Sequence, residues 1–400
     1  MPTTLTPELR LLTRAALPSS VAASVGPSLD WDRVVAQARR HRLAPLLSRY
    51  LEAVPAGVPD EVVARLARDR RRTAAANLRL LAGGRAVIDA LADAGVTVVV
   101  LKGVALLEET FADISLRPTG DIDLLVHDAS IQRAEDVILE LGYRSARPAH
   151  AGMPDPRPTK YAYPELKSPD GLVHVDLHRH LLPDAAFDIQ EVWTHARPSG
   201  QGVHLLPDHA DLLLHLAAHF FKDRLRRSSG SLGQLADIAW VVDAHTIDWD
   251  VVVGRAWAYG LHGRVYLSLM ATNELLGPVV PSEVLTALRP SSYSPSVGRA
   301  FITRRLLTEA PWHPPGYFGG VPGKAFSRRW RPMRRVLPDR AYLEAAHGRG
   351  AGAGSSYARL LWIRARRAVT TLHPWHLYRD ARLNRWMRTV ADEGTNRTPV

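Results

Sequence analysis

The segment Gly120-Asp121-Ile122-Asp123-Leu124-Leu125-Val126 constrains this chain more than any other. Its apolar, branched content is that of a strand buried on both faces, yet two carboxylates interrupt it two residues apart. In an extended strand, alternate residues leave the same face, so Asp121 and Asp123 are expected to point together at the end of a buried strand. Two carboxylates aimed at one point repel each other and destabilise the fold unless a cation stands beside them. A third carboxylate has a similar setting. In His174-Val175-Asp176-Leu177-His178, Asp176 occupies mid-strand with Val175 and Leu177 on the opposite face, and a lone buried carboxylate is costly. Oxygen ligation by three aspartates suits Mg²⁺ or Mn²⁺ better than zinc, and the absence of cysteine removes thiolate sites, disulfides and a thiol nucleophile.

Around these strands the pattern predicts an α+β chain in which a small mixed sheet is flanked by helical regions. Residues 1–84 read as an N-terminal helical region, because Leu43, Leu46, Leu47 and Leu51, and later Val62, Leu66, Leu78, Leu81 and Ile88, repeat at helical spacing. Arg65, Arg68, Arg70, Arg71 and Arg72 share a helix there with Glu61 and Asp69 and read as a solvated face. The core is expected over residues 85–205. The run Val96 to Leu101 forms its first strand, a short helix follows from Ala105, and a polar loop runs from Asp113 to Thr119. The DIDLLV strand comes next, then a helix over residues 128–141. The loop Ala146 to Pro158 and a hairpin turning at Ser168-Pro169-Asp170-Gly171 complete the core. Residues 206–290 return to a helical period, as a helical domain packing on the core. On their helix, His215 and His219 lack the glutamate of a zinc protease and read as packing groups or groups beside the site.

Residues 291–400 differ in charge. The whole chain carries 51 basic and 40 acidic side chains, or +11, but this last region alone holds 20 against 6 and the remainder is slightly acidic. The body is therefore not basic. Only five basic residues are lysines, among them Lys102 and Lys222. The tail mixes arginine with tryptophan at Arg329, Trp330, Arg331, Trp362, Arg364, Arg385 and Trp386, a composition suited to nucleic acid through residues 325–400, to an anionic membrane, or to an acidic partner. Gly319 to Lys324 lacks the first glycine and the hydroxyl residue of a phosphate loop. No stretch has the length of an apolar membrane span, so a cytoplasmic protein is expected.

The ordered motifs Leu101-Lys102-Gly103, Arg117-Pro118-Thr119-Gly120-Asp121-Ile122-Asp123-Leu124-Leu125-Val126 and Val175-Asp176-Leu177-His178 resemble the nucleotidyltransferase superfamily with the DNA polymerase β-like core, most closely an uncharacterised bacterial branch. The likeness runs over about residues 30–260. It implies that Asp121 and Asp123 hold metal in the superfamily's usual two-ion form, and that Asp176 completes the site or deprotonates the acceptor. It further implies an NTP co-substrate, with ATP the first candidate, and a small-molecule or peptide acceptor of the kind met in natural-product biosynthesis. Lys102, Gly103, Arg117, Gly120 and His178 become candidate nucleotide-binding residues, Gly103 by letting backbone amides approach phosphate. The chain departs from better-known members in having Val104 where they carry serine. Two alternatives follow: a catalytically inactive module of the same fold, or an RNA-binding or RNA-modifying protein that uses the basic tail.

Overall fold

The computed structural model describes residues 5–19, 29–54, 57–145, 165–182, 187–200, 202–226, 232–307, 383, 385–390 and 393. The loop at 146–158, the glycine-rich segment 319–324 and most of the arginine- and tryptophan-rich tail lie outside the described residues. The chain divides into two compact units. The first takes the described residues of 1–222, 231–293 and 390–400, and the second those of 223–230 and 294–389. In the second unit a short helix, Pro295–Phe301, buries Phe301. Everything below concerns the first unit.

It opens with helices α1 (Pro7–Ala15), α2 (Trp31–Arg40), α3 (Ala44–Glu52) and α4 (Asp60–Asp93). Local signals fix their ends: the Asp30 side chain accepts the Arg33 amide at 3.0 Å to cap α2, and Asp60 and Glu61 supply negative charge to the first turn of α4. Arg65 pairs with Asp32, and Arg70 bridges Glu52 and Asp113, so these two members of the expected basic face serve ion pairs within the helical region.

Seven strands form one mixed sheet: β1 (Val98–Leu101), β2 (Ile122–Val126), β3 (Arg144–Ser145), β4 (Leu166–Lys167), β5 (His174–His178), β6 (Arg197–Pro198) and β7 (Leu205–Leu206), in the order β3-β4-β5-β2-β1-β7-β6. At its centre β1 runs antiparallel to β2, and β2 runs parallel to β5. Helices α5 (Lys102–Glu109), α6 (Ile131–Glu140) and α7 (Ile189–His195) connect the strands. Five more follow: α8 (His209–Arg226), α9 (Leu232–Ala244), α10 (Trp249–Ala258), α11 (His262–Leu276) and α12 (Ser282–Leu288). The α+β expectation is met, with a sheet edge at β6 and β7 that two-residue strands do not announce in sequence. Among the described residues, no helix is long and apolar enough to cross a membrane.

The two faces of the central strands do different work. On one, Val98, Val100, Ile122, Leu124, Val175 and Leu177 pack against Leu80, Val87, Ile88 and Leu91 of α4 and Ala134, Val137 and Ile138 of α6. Burying so many full aliphatic side chains, each worth about 1.5–3 kcal/mol, makes this layer the anchor of the sheet. Period-two alternation then sends Leu101, Asp123, Asp176 and His178 to the other face.

Candidate active site

Strand register assembles the site. Asp123 stands opposite Leu101 of β1 on one side and opposite Asp176 of β5 on the other, so the two aspartates are direct neighbours on parallel strands. Asp123 is 3% exposed, and one of its oxygens, Oδ1, accepts two hydrogen bonds, from Lys102 Nζ at 2.6 Å and from His178 Nε2 at 2.6 Å. Burial alone would raise this carboxyl. The Lys102 charge and the His178 contact outweigh it and hold the group well below the usual carboxylate range. Because Asp123 is ionised, the His178 Nε2 carries the proton it donates, and burial together with Lys102 lowers the imidazole so that it stays neutral.

Asp176 lacks such compensation. Burial, then the charges of Asp123 and Asp121, push its carboxyl up to about 7. Asp121 is solvent-exposed and lies one residue before β2. Protein packed on its inner side, followed by the Asp123 charge, raises its carboxyl too. Donor atoms of Asp123, Asp176 and His178 come within 4.8 Å of one another, a set that fits a divalent cation. Asp121 is outside that set and acts on it through its charge. The three carboxylates therefore form one electrostatic cluster, with Asp123 and Asp176 as its close pair.

The structure places three of the candidate nucleotide-binding residues. Lys102 reaches Asp123, and does so from a left-handed backbone, φ 47°. A non-glycine residue held there costs of order 1–3 kcal/mol, and such strain clusters at functional sites. The positive φ thus falls on Lys102 and not on Gly103, which lies within α5. Gly103 is needed for space: a Cβ there would come 2.5 Å from Thr119 Cγ2. Arg117 anchors the loop that leads to Asp121. Its Nε and Nη2 grip the two oxygens of Asp237 on α9 at 2.8 and 2.9 Å, and Nη1 donates to Thr119 Oγ1 at 2.8 Å. Gly120 is exposed between this anchored loop and Asp121.

Asn77 is the residue that sequence reasoning passed over. Fully buried on α4, it donates to the carbonyls of Ile114 and Arg117 at 2.6 and 2.7 Å and accepts the Thr119 amide at 3.2 Å. A polar amide in the middle of a long helix was the available signal. Asn77, Gly103, Arg117 and Asp237 together fix the approach of the chain into Asp121 and Asp123. Gly103→Ala is accordingly expected to cost about 1–3 kcal/mol in urea unfolding, since overpacking at a backbone-close contact relaxes poorly. An unchanged midpoint would show that the loop yields freely.

A second acidic group, His195, Asp208 and Asp211, also draws its donor atoms within 4.8 Å. It already holds a cation: Arg255 Nη1 lies 2.7 Å from Asp208 and 3.1 Å from Asp211. That group reads as an internal ion-pair network joining α10 to the start of α8.

No curated protein and no solved structure matches the chain. A family model described as uncharacterised nucleotidyltransferase matches residues 27–277, a span that contains the sheet, the acidic pair and every anchoring residue above. With more than half its length covered, the chain belongs to this uncharacterised nucleotidyltransferase family.

Proposed function

We propose that the protein is a Mg²⁺-dependent nucleotidyltransferase that moves NMP from an NTP, ATP first among candidates, to a small-molecule or peptide acceptor with release of pyrophosphate. The observation that carries this reading is the in-register pair Asp123 and Asp176, with the excess negative charge of Asp121 beside it. Asp121, Asp123 and Asp176 would hold the metal, Mg²⁺ or Mn²⁺, as one or two ions. Bound cations would neutralise the triphosphate and stabilise the attacking and leaving oxygens of an in-line displacement.

The chain's own residues supply the rest. His178 fixes the rotamer of Asp123 by donating to Oδ1, and Lys102 balances that buried charge while no metal is bound. Asp176, with a carboxyl near neutrality, is suited to take a proton from the acceptor. Asn77 and the Arg117–Asp237 pair keep the loop that presents Asp121 in place.

Incubation with ATP labelled at the α-phosphate, Mg²⁺ and cell extract is expected to transfer label, whereas γ-labelled ATP is expected to transfer none. Asp121→Asn should lower the transfer at least tenfold, about 1.4 kcal/mol of transition-state stabilisation. Label that moves from the γ-position would replace nucleotidyl transfer by phosphotransfer. One observation favours a second reading, an inactive module: Lys102 and His178 together occupy Oδ1 of Asp123. Absence of transfer with retained nucleotide binding would decide for it.

A further inference from the structure

His215 is a buried group that the scheme above leaves unused. It sits on α8 at 1% exposure, and neither Nδ1 nor Nε2 has a hydrogen-bond partner. A buried imidazole normally satisfies at least one nitrogen, so this side chain marks a place for a polar group that the chain does not itself provide. Its surroundings say which side of the site it serves. Lys102, Asp123 and His178 are all close enough for their charges to reach it. The ring edge of Phe187, which follows β5, meets it with centroids 6.2 Å apart, and His219 meets it at 6.1 Å. Phe187 in turn packs against Tyr259 at 5.2 Å. His215 therefore stands within electrostatic reach of Asp123 and His178, among buried aromatic rings. Burial, and then the positive charges of Lys102 and Lys222, hold its imidazole well below its usual range. A neutral ring has one N–H to donate and one nitrogen to accept, and both are open here.

We infer that His215 is a substrate-binding residue of the acceptor subsite, and that the acceptor presents a hydroxyl group on a compact, largely apolar body. The inference rests on the nucleotidyl-transfer reading. In that reaction the acceptor oxygen forms a bond to the α-phosphorus and the bond from that phosphorus to the β-bridging oxygen breaks. Pyrophosphate leaves with the electron pair, and the hydroxyl proton passes to the Asp176 carboxylate. His215 donates its N–H to one lone pair of the acceptor oxygen beforehand, which leaves the hydroxyl proton directed at Asp176 and the other lone pair free to attack.

The test compares wild type with His215→Leu and His215→Gln in the full chain. One assay measures binding of the αβ-methylene analogue of ATP with Mn²⁺ by equilibrium dialysis. The other measures label moved from α-labelled ATP to acceptors in serial dilutions of cell extract. Analogue binding is expected to stay within twofold for both variants. Labelling by His215→Leu should fall at least tenfold in dilute extract and recover as the extract is concentrated, the sign of weakened acceptor binding. His215→Gln, which keeps a hydrogen-bond donor, should lose less. Labelling equal to wild type in both variants overturns the inference. So does a parallel loss of analogue binding, which would move His215 to the nucleotide side. If the leucine variant unfolds, wild-type labelling by the glutamine variant overturns it equally. Wild type that binds the analogue but labels nothing instead refutes the nucleotidyl-transfer reading, and the inference falls with it.

Discussion

Asp176→Asn is expected to slow nucleotidyl transfer a hundredfold or more while making the metal-free protein more stable above neutral pH. The first effect follows from removing the acceptor-side carboxylate, whose contribution to transition-state stabilisation is on the order of 3 kcal/mol. The second follows from linkage. In the folded chain Asp176 titrates at about 7, against 3.8 for an unperturbed aspartate, because burial and the charges of Asp123 and Asp121 disfavour its ionised form. Between those two values the folded protein binds more protons than the unfolded chain, so stability is full below about pH 4 and is lost as pH rises through 7. At 1.36 kcal/mol per pH unit the ceiling is about 4 kcal/mol, and partial solvent access reduces it to about 2. Urea melts in chelator at pH 5 and pH 8 measure this directly. Wild type should lose stability between them and Asp176→Asn should lose distinctly less, while added Mg²⁺ or Mn²⁺ should restore wild type alone.

Asp123→Ala is expected to have the larger structural effect. It abolishes the site and also strands Lys102 and His178, both of which direct a nitrogen at the lost carboxylate from 2.6 Å. Removing one partner of a buried pair typically costs about 3–5 kcal/mol, because the remaining charge loses its nearest counter-ion where water is scarce. Loss of activity in this variant alone is thus ambiguous between chemistry and folding. The double variant Lys102→Met with Asp123→Leu separates them: replacing a buried pair by apolar groups of similar volume is often neutral, so the urea midpoint should return near wild type with transfer still absent. A single Asp123→Ala variant as stable as wild type would mean that Lys102 does not depend on Asp123.

The contrast between these two aspartates shows what the sequence carried and what it did not. Both strands were legible, since DIDLLV and HVDLH place isolated charges in runs whose other residues demand burial. The helices of the flanks were legible from leucine spacing, and α9 and α12 fall where the period put them. The partners of the charges were not legible. Lys102 meets Asp123 because β1 and β2 pair antiparallel with Leu101 opposite Asp123, a register that no local pattern specifies. Arg117 meets Asp237 across 120 positions of sequence, and Asn77 meets the same loop from a helix that precedes the sheet. In each case the cation or amide holds the protein's own loop or carboxylate. Asp121 and Asp123 look equivalent in sequence, yet the strand begins between them, leaving one exposed and the other almost wholly buried.

All of these roles depend on whether the cluster of Asp121, Asp123 and Asp176 takes a divalent cation with the nucleotide. The most direct measurement is the anomalous scattering of Mn²⁺ in crystals of the protein grown with the αβ-methylene analogue of ATP. The account predicts a manganese peak between Asp123 and Asp176, at coordination distances of about 2.1–2.2 Å, with Lys102 drawn away from Oδ1 of Asp123. Analogue bound with no manganese at these carboxylates, and Lys102 still paired with Asp123, would contradict it.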